Sequence, residues 1–180
     1  MVNGMININR VGLSLGIVGL LLGNGAFAAD VTFFDTQSNN SWQDSANWTG
    51  GSVPSANVDG SIFIQSGFDT SGDPEIPITN INTDYTNING LEFTIAGVDN
   101  TYDLQGTGSF TFNTGGSITN NKTSAVDVSV EVVGSVGTLT FDAANGSLGI
   151  SGGVDLSAGT ALTVTGSKDT DVTGIISGSG

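Results

Sequence analysis

Residues 91 to 180 form a run of short segments: LEFTI (91–95), TYDL (101–104), SFTF (109–112), SIT (117–119), VDVSVEV (126–132), TLTF (138–141), SLGI (147–150), VDL (154–156), ALTV (161–164) and VTGIISGSG (172–180). Each segment alternates apolar residues with small or polar ones and is bounded by residues that favour turns. Because successive side chains of a strand point to opposite faces, this alternation predicts strands with one buried face. The stretch contains no proline and no amphipathic helical pattern, so we expect an all-β protein.

The alternation also assigns apolar residues to the buried face. These residues are Leu91, Phe93 and Ile95, Phe110 and Phe112, Val128 and Val130, Leu139 and Phe141, and Leu162 and Val164. The apolar centres of successive segments lie 6 to 11 residues apart and are Phe110, Ile118, Val128, Leu139, Leu148, Val154, Leu162 and Val172. Three such steps, of roughly eight residues each, would make a coil of about 24 residues, a length typical of stacked repeats.

Two architectures fit this spacing. An antiparallel β-sandwich normally has strands of five or six residues joined by tight hairpins, and only Asn89-Gly90 and Asn145-Gly146 favour such turns. Strands of three or four residues bury little by themselves and need neighbours stacked above and below them. We therefore expect a parallel β-solenoid over residues 61–180, with the antiparallel sandwich as the alternative.

The N-terminal residues 1–28 have the features of a secretory signal peptide. Arg10 supplies the positive charge, residues 11–22 are apolar, and Ala26-Phe27-Ala28 is a typical cleavage site. The apolar stretch is shorter than the roughly 20 residues of a transmembrane helix. We expect cleavage after Ala28 and an exported protein, either extracellular, on a bacterial surface, or periplasmic if no translocating barrel is encoded.

The charge balance excludes several partners. Beyond the signal peptide, Lys122 and Lys168 are the only cations, against 17 acidic residues. We expect no nucleic-acid partner, since few groups could replace phosphate counterions, and no direct insertion into a membrane. The chain has no cysteine, so disulfides cannot stabilise it and burial of apolar side chains must do so.

Residues 29–60 have a different composition from the repeats that follow. A polar, loop-like segment contains both tryptophans, Trp42 and Trp48. The first coil of a solenoid exposes apolar side chains and unpaired strand edges, so we expect these aromatic residues to form a cap. The alternative is a platform on which the two tryptophans stack against sugar rings.

Several scattered residues are similar to the start of bacterial autotransporter passenger domains and of autotransporter-associated β-strand repeat proteins. They are Trp42, Asn47-Trp48, Pro54, Asp59, Ile62-Phe63, Leu91-Glu92-Phe93, Tyr102-Asp103-Leu104 and the closing run from Val172 to Gly180. The resemblance implies a right-handed parallel β-helix displayed on a bacterial surface, often for adhesion. In that family the closing run usually continues into further repeats, so residues 61–180 resemble a segment truncated at its C-terminus.

We accordingly expect a secreted, non-enzymatic module for structural display or adhesion, with a host-cell, matrix or glycan surface as partner. A carbohydrate-binding sandwich and a truncated gene product without independent function are the alternatives. The last coil, residues 161–176, is expected to be uncovered, and self-association through it is a further expectation.

The sequence offers few residues for catalysis. Histidine and cysteine are absent, and Arg10 is the only arginine, so most nucleophilic triads and imidazole metal sites are excluded. We assign no catalytic, cofactor or metal residues. The acidic groups Asp69, Asp73 and Glu75, and Asp169 and Asp171, have oxygen donors that suit Ca²⁺, but they match no EF-hand loop, and we interpret them as solvated surface charge.

Overall fold

The computed structural model describes residues 30–34, 40–65, 75–94, 100–157 and 159–179, with the backbone alone at 75 and 76. Within them the elements are one turn of 3-10 helix (Ser45–Asn47) and the strands β1 (Val31–Phe34), β2 (Asn57–Gln65), β3 (Glu75–Ile78), β4 (Tyr85–Thr94), β5 (Thr101–Leu104), β6 (Ser109–Asn120), β7 (Val126–Val128), β8 (Glu131–Gly134), β9 (Gly137–Ala143), β10 (Leu148–Ile150), β11 (Val154–Leu156), β12 (Thr160–Gly166), β13 (Thr170–Val172) and β14 (Ile176–Gly178). The predicted signal peptide and Ile95 lie outside the described residues.

The strands stack as a parallel β-solenoid. One sheet has the order β1-β2-β4-β6-β8-β11-β14, with β9 paired to both β6 and β12, and the other has the order β3-β5-β7-β10-β13. Each of these strand pairs is parallel, and apart from β1 and β2 no pair joins strands that are consecutive in the chain. The chain therefore returns to each face after passing the others, which confirms the predicted solenoid. The antiparallel sandwich is wrong, because short strands find their partners in the neighbouring coils.

The strands form three faces around the interior. Two of these faces share β6, whose two halves pair with different strands. Its first half, Ser109–Phe112, pairs with β4 on one side and with β8 on the other, in the A face that continues through β11 and β14. Its second half, residues 117–119, pairs with β4 on one side and with β9 on the other, in the B face that continues into β12. The C face consists of β3, β5, β7, β10 and β13.

The coils have a nearly constant length in the second half of the chain. On the A face Val132 pairs with Val154 and Val154 with Ile176, a step of 22 residues each time. On the B face the step from Phe141 to Val164 is 23 residues. Both values are close to the predicted coil of about 24 residues.

Apolar side chains fill the interior of the coils. The predicted centres are buried at Phe110, Ile118, Val128, Leu139, Leu148 and Val154, while Leu162 and Val172 are partly buried and pack against the same core. Val164, predicted to face inward with Leu162, remains 53% exposed. It stacks on the fully buried Phe141 but belongs to β12, the last strand of the B face among the described residues. Burial in a solenoid thus requires a coil on both sides.

The predicted aromatic cap is confirmed as a plug inside the first coils. The Trp42 ring centroid lies 5.7 Å from that of Phe33, 4.7 Å from Trp48, 5.7 Å from Tyr85 and 5.6 Å from Phe110. Such distances and the mostly tilted or edge-on orientations are typical of favourable aromatic pairs. The five rings fill a space that aliphatic side chains occupy further along the solenoid.

Hydrogen bonds fix the polar loop that carries these rings. The Trp42 amide donates to the Thr79 carbonyl at 2.9 Å, and the Thr49 amide donates to the Thr32 carbonyl at 2.9 Å. The indole Nε1 of Trp48 donates to the Trp42 carbonyl at 2.8 Å. The loop is thereby joined to β1, while β2 starts at Asn57 and crosses the expected boundary at residue 60.

Asn120 closes the corner between the B and C faces. Its side chain is fully buried, and its Nδ2 donates to the carbonyls of Ser124 at 3.0 Å and Ser147 at 2.8 Å. Its Oδ1 accepts from the Lys122 amide at 3.0 Å. One amide therefore satisfies backbone groups of its own corner and of the next coil, which backbone pairing alone would leave buried and unpaired.

Replacing Asn120 with alanine is expected to lower the free energy of unfolding by about 2–3 kcal/mol, because buried carbonyls and an amide lose their partner. Urea denaturation measures the change. Asn113→Ala is the matched control, since the Asn113 amide donates at the surface to the Asn89 side chain; its effect is expected to be below about 1 kcal/mol. Equal losses for the two variants would contradict the assigned role of Asn120.

Candidate functional site: an acidic groove on the C face

A row of outward-facing positions crosses the strands of the C face. Asp103 pairs with Asp127, and Gly149 pairs with Asp127 on one side and with Asp171 on the other. Neighbouring strands are about 4.8 Å apart, so the carboxylates of Asp103 and Asp127 lie side by side. Like charges in such positions repel each other, and the arrangement needs compensation.

Hydroxyl groups compensate this repulsion. Ser129 Oγ lies 2.7 Å from Asp103 Oδ1 and 3.0 Å from Asp127 Oδ2. Ser151 Oγ donates to Asp127 Oδ2 at 2.6 Å, and Gln105 Nε2 donates to Asp103 Oδ2 at 2.6 Å. These bonds hold two carboxylates in fixed positions on a rigid surface.

Beside this row lies a groove of about 270 Å³. Its lining consists of Thr101, Tyr102, Ala125, Val126, Asp127, Ser147, Leu148, Gly149, Asp169 and Asp171. Tyr102, Val126 and Leu148 are core residues, so they reach the groove from beneath. The exposed lining is therefore mostly apolar, although three aspartates, Thr101 and Ser147 belong to it.

Gly149 leaves room for the Asp127 carboxylate. A Cβ atom at this position would lie 2.6 Å from Asp127 Oδ1 and 3.3 Å from its Cγ. The Asp127 carboxylate therefore leans over the glycine, into space that any larger residue would occupy. Asp127 and Asp171 occupy the strands on either side of this glycine.

The structure brings together only some of the acidic residues considered from the sequence. Asp169 and Asp171 both line the groove, together with Asp127, which the sequence analysis did not single out. Asp69 and Asp73 lie outside the described residues, and only the backbone of Glu75 is described. In the described part of the chain, no three acidic, histidine or cysteine side chains are grouped as a metal site would require. That the chain uses no metal stays a prediction.

The two lysines have different environments. Lys122 is fully buried, and its Nζ lies 4.7 Å from the centroid of the Tyr102 ring, in a cation–π contact. Lys168 is exposed and directly precedes Asp169. The sequence analysis counted both only as cations, and nothing in the pattern around Lys122 signals its burial.

The tryptophans cannot act as the sugar-stacking platform considered above. Trp42 is fully buried and Trp48 is 4% exposed, so neither presents a ring face to a ligand. The carbohydrate-binding alternative relied on these two side chains, and it is wrong in assigning them to a sugar-stacking surface.

Across the described residues, no helix has the length and apolar character needed to cross a membrane.

Comparison of this chain with protein families, with curated proteins and with solved structures finds no match. The function therefore has to be argued from the residues and their geometry.

Proposed function

We propose that this protein is an exported, non-enzymatic β-solenoid module that serves structural display or adhesion at a bacterial surface. The observation that carries the proposal is the row of fixed carboxylates on the C face. Asp103 and Asp127 are held by Ser129 and Ser151 on a stack of parallel strands. A rigid scaffold that presents polar groups at the strand spacing is suited to contact an extended surface.

The filled interior supports this proposal. Aromatic and aliphatic side chains occupy the space within the described coils, so binding groups are available on the outside of the solenoid. The sequence has no histidine or cysteine with which to assemble common catalytic centres. Binding by an exposed face is therefore the role that the arrangement favours.

The resemblance to autotransporter passengers gives a second line of support. The residues that carry it at the start of the chain, Trp42 and Asn47-Trp48, are those that close the first coils. Asn47 is buried, and its Nδ2 donates to the Ser41 carbonyl at 3.0 Å, next to the two indoles, which meet edge to face. The shared residues thus have a capping role that any exported solenoid of this kind needs.

The proposal is tested by following the full chain in a bacterial host and then measuring adhesion. The chain recovered from the cell surface, periplasm or medium is expected to begin at Ala29 by mass spectrometry. Beads coated with this protein are expected to be retained under flow on cultured cells, matrix proteins or immobilised glycans, about fivefold more than beads coated with an unrelated acidic protein. That ratio is about 1 kcal/mol in binding free energy.

Retention equal to that of the control beads on all of these surfaces would refute the adhesive role. A chain that keeps Met1 and stays inside the cell would refute export.

A further inference from the structure

Beyond the predicted signal peptide the chain has two Asn-Gly pairs, and neither forms a hairpin turn in the described structure. Asn89-Gly90 lies within β4, and Asn145-Gly146 lies at the corner between β9 and β10. We propose that Asn89 is a site of spontaneous deamidation in the folded protein, promoted by Asn113, whereas the fold protects Asn145. This inference concerns a covalent modification and does not depend on the proposed adhesive role.

Deamidation at an Asn-Gly pair uses only groups of the chain itself and water. The backbone nitrogen of the glycine attacks Cγ of the asparagine, and its proton leaves with the side-chain nitrogen as ammonia. The product is a five-membered succinimide ring, which water opens at either carbonyl to give aspartate or isoaspartate. Glycine favours the reaction because it has no side chain to hinder the attacking nitrogen.

Asn89 lies in an irregular part of the sheet. The register on both sides of β4 includes Ile88 and Gly90 but passes over Asn89, which has no paired residue in β2 or in β6. Such a bulged residue is released from the regular ladder, so its backbone can turn more freely than that of a paired residue. The Asn89 side chain is also exposed, and water can reach it.

The glycine that follows has room to move. The nearest neighbours of a Cβ atom at Gly90 would be three side-chain oxygens, at 3.4 to 3.8 Å, and the closest is Ser61 Oγ. These are the ends of side chains, which can shift. At Gly146 a Cβ atom would lie 2.6 Å from the backbone carbonyl oxygen of Lys122, in the neighbouring coil. Packed backbone therefore holds the nitrogen of Gly146 in place.

Hydrogen bonds treat the two side-chain amides differently. Asn89 Oδ1 accepts from Asn113 Nδ2 at 3.1 Å. Negative charge develops on this oxygen as the glycine nitrogen attacks Cγ, and a donor already aimed at it stabilises that charge. Asn145 instead uses its Nδ2 to donate to the Asn121 carbonyl at 3.1 Å, and its backbone amide donates to the Asn120 carbonyl at 3.0 Å. The side chain of Asn145 is thus tied to the corner.

The modification would change the surface at one bend of the solenoid. Asn89 lies where β4 passes from the A face, at Tyr85, to the B face, at Gly90. Either product places a carboxylate there, and isoaspartate also lengthens the backbone by a methylene group. An exported chain would therefore become more acidic at this bend as it ages.

The experiment follows both sites in the full chain at mildly alkaline pH, with peptide mapping by mass spectrometry. In the folded protein Asn89 is expected to convert about tenfold faster than Asn145, because a reaction that must first break a hydrogen bond of ordinary strength is slowed by about that factor. Aspartate and isoaspartate are both expected, since direct hydrolysis would give aspartate alone. In concentrated urea the two sites are expected to react at similar rates. Equal rates in the folded protein, or no conversion at Asn89, would overturn the inference.

Asn113→Ala tests the promoting hydrogen bond. Loss of the donor is expected to slow conversion at Asn89 about threefold, a smaller effect than in a buried site because water partly replaces the donor. A bond that merely restrained the side chain would give the opposite result, since the freed Asn89 would react faster. Conversion at Asn145 in the same variant is the internal control and is expected not to change, and circular dichroism verifies folding. Unchanged or faster conversion at Asn89 would overturn the role assigned to Asn113.

Discussion

Trp42→Ala is expected to lower the free energy of unfolding by about 3–5 kcal/mol, the usual loss for a large aromatic residue in a core. The indole is fully buried and contacts four other rings, including Tyr85 and Phe110 of later coils. Truncation to alanine would leave a cavity. The loop that carries residue 42 cannot move in to fill it, because hydrogen bonds to Thr79 and Thr32 hold it in place. Hydrogen exchange should show the largest loss of protection in β1, β4 and the start of β6, because these strands carry rings that contact Trp42 and the strands from β8 onward carry none.

Phe63→Ala is the matched control for this variant. Phe63 is an aromatic residue of β2, but it is only partly buried and pairs with the polar Thr32 and Glu92 at outward positions. Its truncation is expected to cost less than about 1 kcal/mol, since little buried area is lost. A Trp42→Ala variant no less stable than Phe63→Ala would show that the aromatic plug does not hold the first coils together.

Gly152→Ala is expected to destabilise the fold by about 3 kcal/mol, because the new methyl group meets backbone that cannot move aside. A Cβ atom at this position would lie 2.0 Å from the carbonyl oxygen of Val130 and 2.5 Å from its carbonyl carbon. Those atoms belong to the coil beneath. The substitution would force the two coils apart at the corner before β11, and the melting temperature is expected to fall accordingly.

The next residue provides the control. A Cβ atom on Gly153 would meet its nearest neighbour, the Ile175 carbonyl oxygen, at 4.0 Å. Gly153→Ala is therefore expected to change the free energy of unfolding by less than about 1 kcal/mol. If the two alanine variants melt at the same temperature, the close packing of successive coils at this corner is not a major source of stability.

Local pattern accounts for much of the architecture. The period-two alternation placed Phe110, Ile118 and Val128 in the interior, where all three are buried. The short strand lengths favoured stacking over hairpin pairing, and the segment spacing predicted a coil of nearly the observed length. These features depend on residues that are close together in the sequence, since alternation and turn residues act over a few positions.

Contacts between coils depend on register, which no local pattern contains. Gly152 and Gly153 are equivalent in the sequence, yet only Gly152 touches the carbonyl of Val130. The groove likewise exists because residues 22 or more positions apart are brought side by side, so that Asp127, Gly149 and Asp171 share one row. A corner longer or shorter by one residue would turn that row to the other face of the sheet.

Composition and period-two patterning therefore set the fold class, the aromatic cap and the acidic character of the surface. The stacking of coils set which acidic residues meet, which glycines approach the backbone of the neighbouring coil and where Lys122 is buried. The physical reason is that strand formation is governed by neighbours in sequence, whereas alignment between coils depends on the lengths and bends of all intervening corners.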